Sequence, residues 1–179
     1  MKKLFVLAAL ALPLMWTACS DKPATPEEVI PKGMVAVDLT KLGHPVKINL
    51  PDSTNGVLDS LETPGGIQLR IGNNFDLLVN TAGTEEADIA KQKSLIEAQD
   101  AGASTFTVND ATTLVWETKF GELSMFHFYT VIKIGGDTYY VRDNNTNAEN
   151  MFKKEDVDRM LESAKSLRAM AQPEAAPAS

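Results

Sequence analysis

Apolar and polar residues alternate at period two over several short stretches of the chain, the pattern of strands with one buried face. "MVAVDL" at 34–39 is a short apolar run that predicts a first strand. In "VKINLP" Val46, Ile48 and Leu50 share one face, and Pro51 closes the run. After the Pro64-Gly65-Gly66 turn, "IQLRI" directs Ile67, Leu69 and Ile71 inward and Gln68 and Arg70 outward. "FDLLVN" follows Gly72-Asn73-Asn74 with Phe75, Leu77 and Val79 in phase, so these runs predict an antiparallel meander.

The period then changes. Thr84 is placed to cap a helix whose first turn holds Glu85, Glu86 and Asp88, the charge sign that a positive helix start favours. Its apolar face is thin, mainly Ile89, Leu95 and Ile96, which predicts a surface position. "TFTVND" and "TTLVWET" read as further strands, and the longest is "LSMFHFYTVIKI" at 123–134, turned by Gly135-Gly136-Asp137 into "TYYVR". This strand carries Phe126, Phe128, Ile132 and Ile134 on one face and Met125, His127, Tyr129 and Val131 on the other. Two apolar faces suit a central strand covered on both sides, or one with a core face and a binding face. A second helix from about Lys153 shows Val157, Met160, Leu161, Ala164 and Leu167 at the spacing of a buried stripe.

Strands, helix, strands, helix: the order predicts an α+β domain in which two helices pack on a single antiparallel sheet. A strand ending in "INLP", a meander, a helix, a long hairpin and a C-terminal amphipathic helix is similar to the Mog1/PsbP-like fold, which includes the DcrB-like bacterial lipoproteins, over roughly residues 44–168. The resemblance implies a compact adaptor or binding domain more than an enzyme. Its members have unrelated roles, so function has to be argued from a site.

The N-terminal residues carry a different message. Met1-Lys2-Lys3 precedes an apolar run from Leu4 to Leu14, and small and polar residues follow at Thr17, Ala18, Cys19 and Ser20, the three zones of a secretory signal over residues 1–18. The run covers 11 residues, against about 20 for a bilayer span. Trp16-Thr17-Ala18-Cys19 resembles the lipobox of bacterial lipoproteins, with Trp16 where that family usually carries an aliphatic residue. The resemblance implies a diacylglyceryl group on the Cys19 sulfur and, after cleavage, a further acyl chain such as palmitate on its amine. Two or more chains, at about 0.8 kcal/mol per buried CH₂, anchor a protein stably. Ser20, with no aspartate in its place, resembles the class sorted to the outer membrane, which implies a lipid-anchored protein of the cell envelope, facing the periplasm or the exterior.

Cys19 is the only cysteine, so no intramolecular disulfide forms. Residues 19–33, with three prolines and few apolar side chains, have tether composition, able to reach about 40 Å when extended. Residues 34–168 form the single domain, and the Ala/Pro-rich residues 169–179 read as a disordered tail. The net charge is −7, and cleavage before Cys19 removes Lys2 and Lys3, leaving 15 basic against 24 acidic residues, or −9. Such a surface disfavours nucleic acid and anionic lipid alike, so attachment falls to the acyl chains. The partners expected are the membrane, through its anchor, and an envelope protein or glycan.

Candidate chemistry is sparse. Asp143, Asn145 and Asn147 occupy positions 1, 3 and 5 of a calcium-loop pattern, but Ala148 replaces its glycine and Lys154 its bidentate glutamate, so the stretch reads as an Asn-rich connection. The two histidines, His44 and His127, lie in distant segments without a clear third metal ligand. There is no G-x-S-x-G elbow and no phosphate-cradling glycine loop, and the Glu85-Glu86 and Glu155-Asp156 pairs sit at predicted helix starts. No catalytic residue, metal or cofactor is assigned. Trp116, Tyr129, Tyr139 and Tyr140 are candidates for an aromatic platform facing a glycan or peptide. The ligand-binding candidates are His127, Trp116 and Tyr129, in a tethered binding or assembly module. The alternatives are an envelope hydrolase, which requires a carboxylate or hydroxyl beside His127, and a small-ligand carrier, which requires an apolar cavity between sheet and helices.

Overall fold

A computed structural model describes residues 29–99, 103–145 and 151–170. The signal segment, Cys19, the tether as far as residue 28, Asn147, Ala148 and residues 171–179 lie outside the described residues. The described chain is mostly β, with ten strands in two antiparallel sheets and two α-helices. The expected single sheet with two helices packed on it is therefore corrected. Strand β2 (Val46–Pro51), whose alternation had suggested membership of one common sheet, pairs instead with β1 (Met34–Asp38) and with the short β10 (Arg168–Ala169). Alternation fixes which side chains are buried, not which strand lies alongside.

The larger sheet has seven strands and is made of two meanders. The first is β3 (Leu58–Thr63), β4 (Gly66–Ile71) and β5 (Asp76–Thr81), and the second is β6 (Ala103–Asn109), β7 (Thr113–Phe120), β8 (Leu123–Ile134) and β9 (Asp137–Asp143). They join where β5 pairs with β9, giving the order β3-β4-β5-β9-β8-β7-β6. Strand β3 falls between the alternating runs that predict strands. It is an edge strand whose Leu58 and Leu61 are exposed, so it bears no burial signal.

Helix α2 (Lys154–Lys165) and the small sheet cover one face of the large sheet. Val157, Met160, Leu161 and Ala164 of α2 meet Ile48 and Leu50 of β2 and Leu69, Leu77, Phe128 and Val141 of the large sheet in the main core. Helix α1 (Ile89–Glu97) covers the opposite face, where Ile89 and Ile96 join Leu114, Tyr129 and Val131. Strand β8 is therefore covered on both sides along its middle. Thr84 does not cap α1. Residues 84–87 form a preceding turn, Glu86 accepts the Gly83 N–H at 3.0 Å, and the cap is Asp88, which accepts the Lys91 N–H at 3.1 Å.

Candidate functional site

The β7–β8 hairpin outruns its neighbour. Strand β8 has 12 residues and β9 has 7, and their pairing ends at Tyr129 opposite Arg142, so the Leu123 end of β8 is paired with β7 alone. Beside this overhang opens a cleft of about 290 Å³, lined by Trp116, His127, Arg142, Asp143 and Asn145, among others.

Asp143 closes β9 and is almost fully buried. Beyond it the backbone stays beside β5, where the Asn144 N–H donates to the Asp76 carbonyl at 3.0 Å. The Phe128 N–H, at the next rung of the β8–β9 ladder, is taken by a side chain: Asp143 Oδ1 accepts it at 2.9 Å. Asp143 Oδ2 lies 2.8 Å from Nδ1 of His127, whose side chain is 17% exposed at the cleft wall. A carboxylate only accepts, so the bond places the ring proton on Nδ1 and leaves Nε2 of the neutral imidazole as an acceptor. Among the described residues nothing is hydrogen-bonded to that second nitrogen.

The other ring contact also follows from strand pairing. Trp116 sits opposite His127 in the β7–β8 ladder and stacks on it with centroids 5.2 Å apart at 27°. Phe106 flanks Trp116 from the far side, at 6.2 Å, so three rings run side by side across β6, β7 and β8. Ser104 and Thr118 line the cleft beyond them, their hydroxyls 3.1 Å apart. Arg142 is exposed. Its Nη1 donates a long 3.4 Å bond to the Asp143 carbonyl, and it forms no ion pair among the described residues. The Asn145 side-chain amide is buried with neither nitrogen nor oxygen bonded.

Of the three residues expected to bind a ligand, His127 and Trp116 come together in this cleft. Tyr129 lies in an adjoining cleft of about 410 Å³ that shares Trp116 and Arg142 with the first. Its hydroxyl donates to the Glu86 carbonyl at 2.7 Å, and its ring stacks on Tyr140 at 5.5 Å. Burial, then the neighbouring Tyr140 and Glu86, push its phenol well above the usual tyrosine range. Tyr139 belongs to the opposite face, buried in the main core with His44 edge-on at 6.3 Å, so it is no part of an aromatic platform with the other three. The two histidines likewise lie on opposite sides of the sheet. Among the described residues no group of three or more His, Cys, Asp or Glu is placed to hold a metal, and Asp143 is engaged by His127 and Phe128.

Asp143 and Arg142 were not singled out from sequence as partners of His127, yet a signal for Asp143 exists. From the Ile134–Asp137 pair that closes the hairpin, six residues back along β8 and six forward along β9 reach Phe128 and Asp143. Asn145, beyond the paired strands, has no such signal. No helix among the described residues is long and apolar enough to cross a membrane. No protein-family model matches the chain, and no curated protein is significantly similar to it in sequence.

Proposed function

We propose that this chain is an envelope lipoprotein, anchored through Cys19, whose described domain is a binding module with its site in the His127 cleft. The reading rests on Asp143. A nearly buried carboxylate fixes the orientation of an imidazole at the wall of an open cleft and leaves its second nitrogen available. Polar groups held in place beside an aromatic wall, with a cation nearby, suit recognition of a small polar molecule. Tethering adds function without further contacts, because it raises the effective concentration of the module near the envelope.

Two experiments test the parts separately. Intact-mass analysis of the membrane-extracted protein should find a diacylglyceryl-modified, acylated Cys19, and Cys19→Ser should release the protein from membranes; unmodified thiol would end the lipoprotein reading. For the site, a small-molecule screen followed by imidazole NMR should shift the His127 signals and leave those of His44 unmoved. Hits that never perturb His127, or that move both rings equally, would end the assignment of this cleft.

The Asp143–His127 pair also favours a second reading, hydrolysis, since a base held by a carboxylate is two parts of a nucleophile–base–orienter set. Among the described residues the third part has no observed counterpart: the hydroxyls in the cleft lining, of Ser104 and Thr118, lie against each other. A chromogenic ester assay in which turnover disappears in His127→Gln would favour hydrolysis over binding.

A further inference from the structure

Resting on the reading of the His127 cleft as a binding site, we infer that its ligand is a small hydroxylated monocarboxylate, of the size and chemistry of one sugar-acid residue. The lining of the cleft carries this. The volume of about 290 Å³ stands at the lower end of the ~300–1,000 Å³ typical of ligand pockets, which limits the occupant to about one ring. Arg142 is the exposed cation of the cleft lining, and no carboxylate of the described residues engages it. A guanidinium offers paired N–H donors that match a carboxylate in a bidentate fork.

The second anchor is His127. With Nδ1–H committed to Asp143, Nε2 of the ring in its neutral form accepts, and a ligand hydroxyl is the matching donor. Among the described residues the remaining polar lining is neutral: the Gln99 amide and the Ser104 and Thr118 hydroxyls. Such groups pair with further hydroxyls of a ligand, whereas the Asn145 amide is buried and presents no accessible donor or acceptor to the cleft. The ring of Trp116 supplies an apolar wall for the C–H surface of a saccharide.

The charge balance selects a monoanion. Among the described residues the cleft offers one exposed cation, the Asp143 carboxylate stands behind His127, and the mature chain carries −9, so one guanidinium leaves a charge of a dianionic phosphate unpaired in a negative field. A neutral sugar, conversely, leaves Arg142 unmatched.

The test uses the full chain in detergent micelles and D-glucuronate as probe, by isothermal titration calorimetry and imidazole NMR. Glucuronate is expected to bind 1:1 and to shift the His127 signals but not those of His44. D-Glucose should bind at least tenfold more weakly, and Arg142→Gln should lower glucuronate affinity at least tenfold while leaving the circular dichroism spectrum and Tm unchanged. The methyl glycoside of glucuronic acid separates two sources of the same chemistry. Affinity within about threefold of the free acid supports the terminal residue of a glycan, and a larger loss supports the free acid. Failure of glucuronate to bind, or binding by Arg142→Gln within twofold of the unsubstituted protein, overturns the inference. If glucose and glucuronate move the His127 signals alike, the acidic ligand is refuted while the cleft stands as a binding site; if no compound of the wider screen moves them either, both fall.

Discussion

Replacing Asp143 separates its two tasks, because alanine removes both and asparagine only one. In Asp143→Ala the Phe128 N–H loses its acceptor at a buried position, which costs about 1–3 kcal/mol. The bond to His127, 2.8 Å long, is lost as well. Bonds to charged groups contribute about 1.5–3 kcal/mol, but here the low end applies, since the freed Nδ1–H lies beside a cleft that admits water. The two losses share one side chain and do not simply add, so the expected destabilisation is about 2–4 kcal/mol, or a fall in Tm of roughly 5–15 °C. Asp143→Asn keeps an oxygen for Phe128 and loses less than about 1.5 kcal/mol. Its amide nitrogen must then face His127, because the opposite flip would set two N–H donors against each other at Phe128. The imidazole responds by moving its proton from Nδ1 to Nε2. Urea denaturation at pH 7 reads the stabilities, and long-range ¹H–¹⁵N correlation of the imidazole reads the tautomer. Alanine costing less than about 0.5 kcal/mol, or asparagine leaving the tautomer as it was, would refute the orienting role of Asp143.

Three other perturbations test the frame around the site. At Gly66 an added Cβ would stand 2.3 Å from the Val79 carbonyl oxygen and 2.0 Å from Asn80 Oδ1, so Gly66→Ala should cost about 3 kcal/mol or more by urea denaturation, the upper range for overpacking. Asp110 accepts the N–H groups of Thr112 and Thr113 at 2.9 and 2.7 Å in the β6–β7 turn, and these bonds, Thr112 first, hold its carboxyl below the ordinary 3.8. A lowered folded-state pKa gives stability that is present above the unfolded value and lost as pH falls through the folded one; Asp110→Ala should therefore lower Tm at pH 7, with the gap closing as the pH falls below the ordinary carboxylate value. For Asp76 the sign reverses: burial pushes its carboxyl up despite two bonds from Gln68, at 2.8 and 2.9 Å. The neutral form is favoured in the folded state, so Asp76→Asn should raise Tm relative to the unsubstituted protein at pH 7, and the advantage should vanish once acid has protonated Asp76 in both states.

Period-two alternation identified buried positions of β2, β4 and β5 because side chains on the core face are forced inward, and the i, i+3, i+4 stripe did the same for α2. It was silent on β3, where pairing to β4 buries no side chain on the open edge. Nor could it divide the strands between two sheets, since Ile48 and Leu50 look alike whether they face a helix or a second sheet. At α1, acidic residues compatible with a first helical turn belong to the turn before it, and Asp88 takes the cap because its carboxylate reaches the Lys91 N–H. The site was legible in part. Trp116 and His127 each stand four residues from the Phe120–Leu123 pair that closes the β7–β8 hairpin, so register alone brings them together. A count of six from the Ile134–Asp137 pair on the next hairpin sets Asp143 opposite Phe128, but the count cannot tell that the ladder stops there and that a carboxylate takes the place of a backbone carbonyl.

That stop is what generates the site. Had β9 continued alongside β8, backbone carbonyls would satisfy the β8 N–H groups and no carboxylate would be needed behind His127. Because β9 ends at Asp143 while β8 runs on, the mismatch of 12 residues against 7 exposes a length of β8 with a flank open beside it. A buried donor must then find an acceptor, and the side chain that meets that need is held rigidly enough to orient a second group with its other oxygen. Structural necessity and preparation for binding are thus met by the two oxygens of one carboxylate. Stability and the state of His127 are coupled at Asp143, whereas Arg142, exposed and free of ion pairs among the described residues, can be changed for ligand preference without disturbing the sheet.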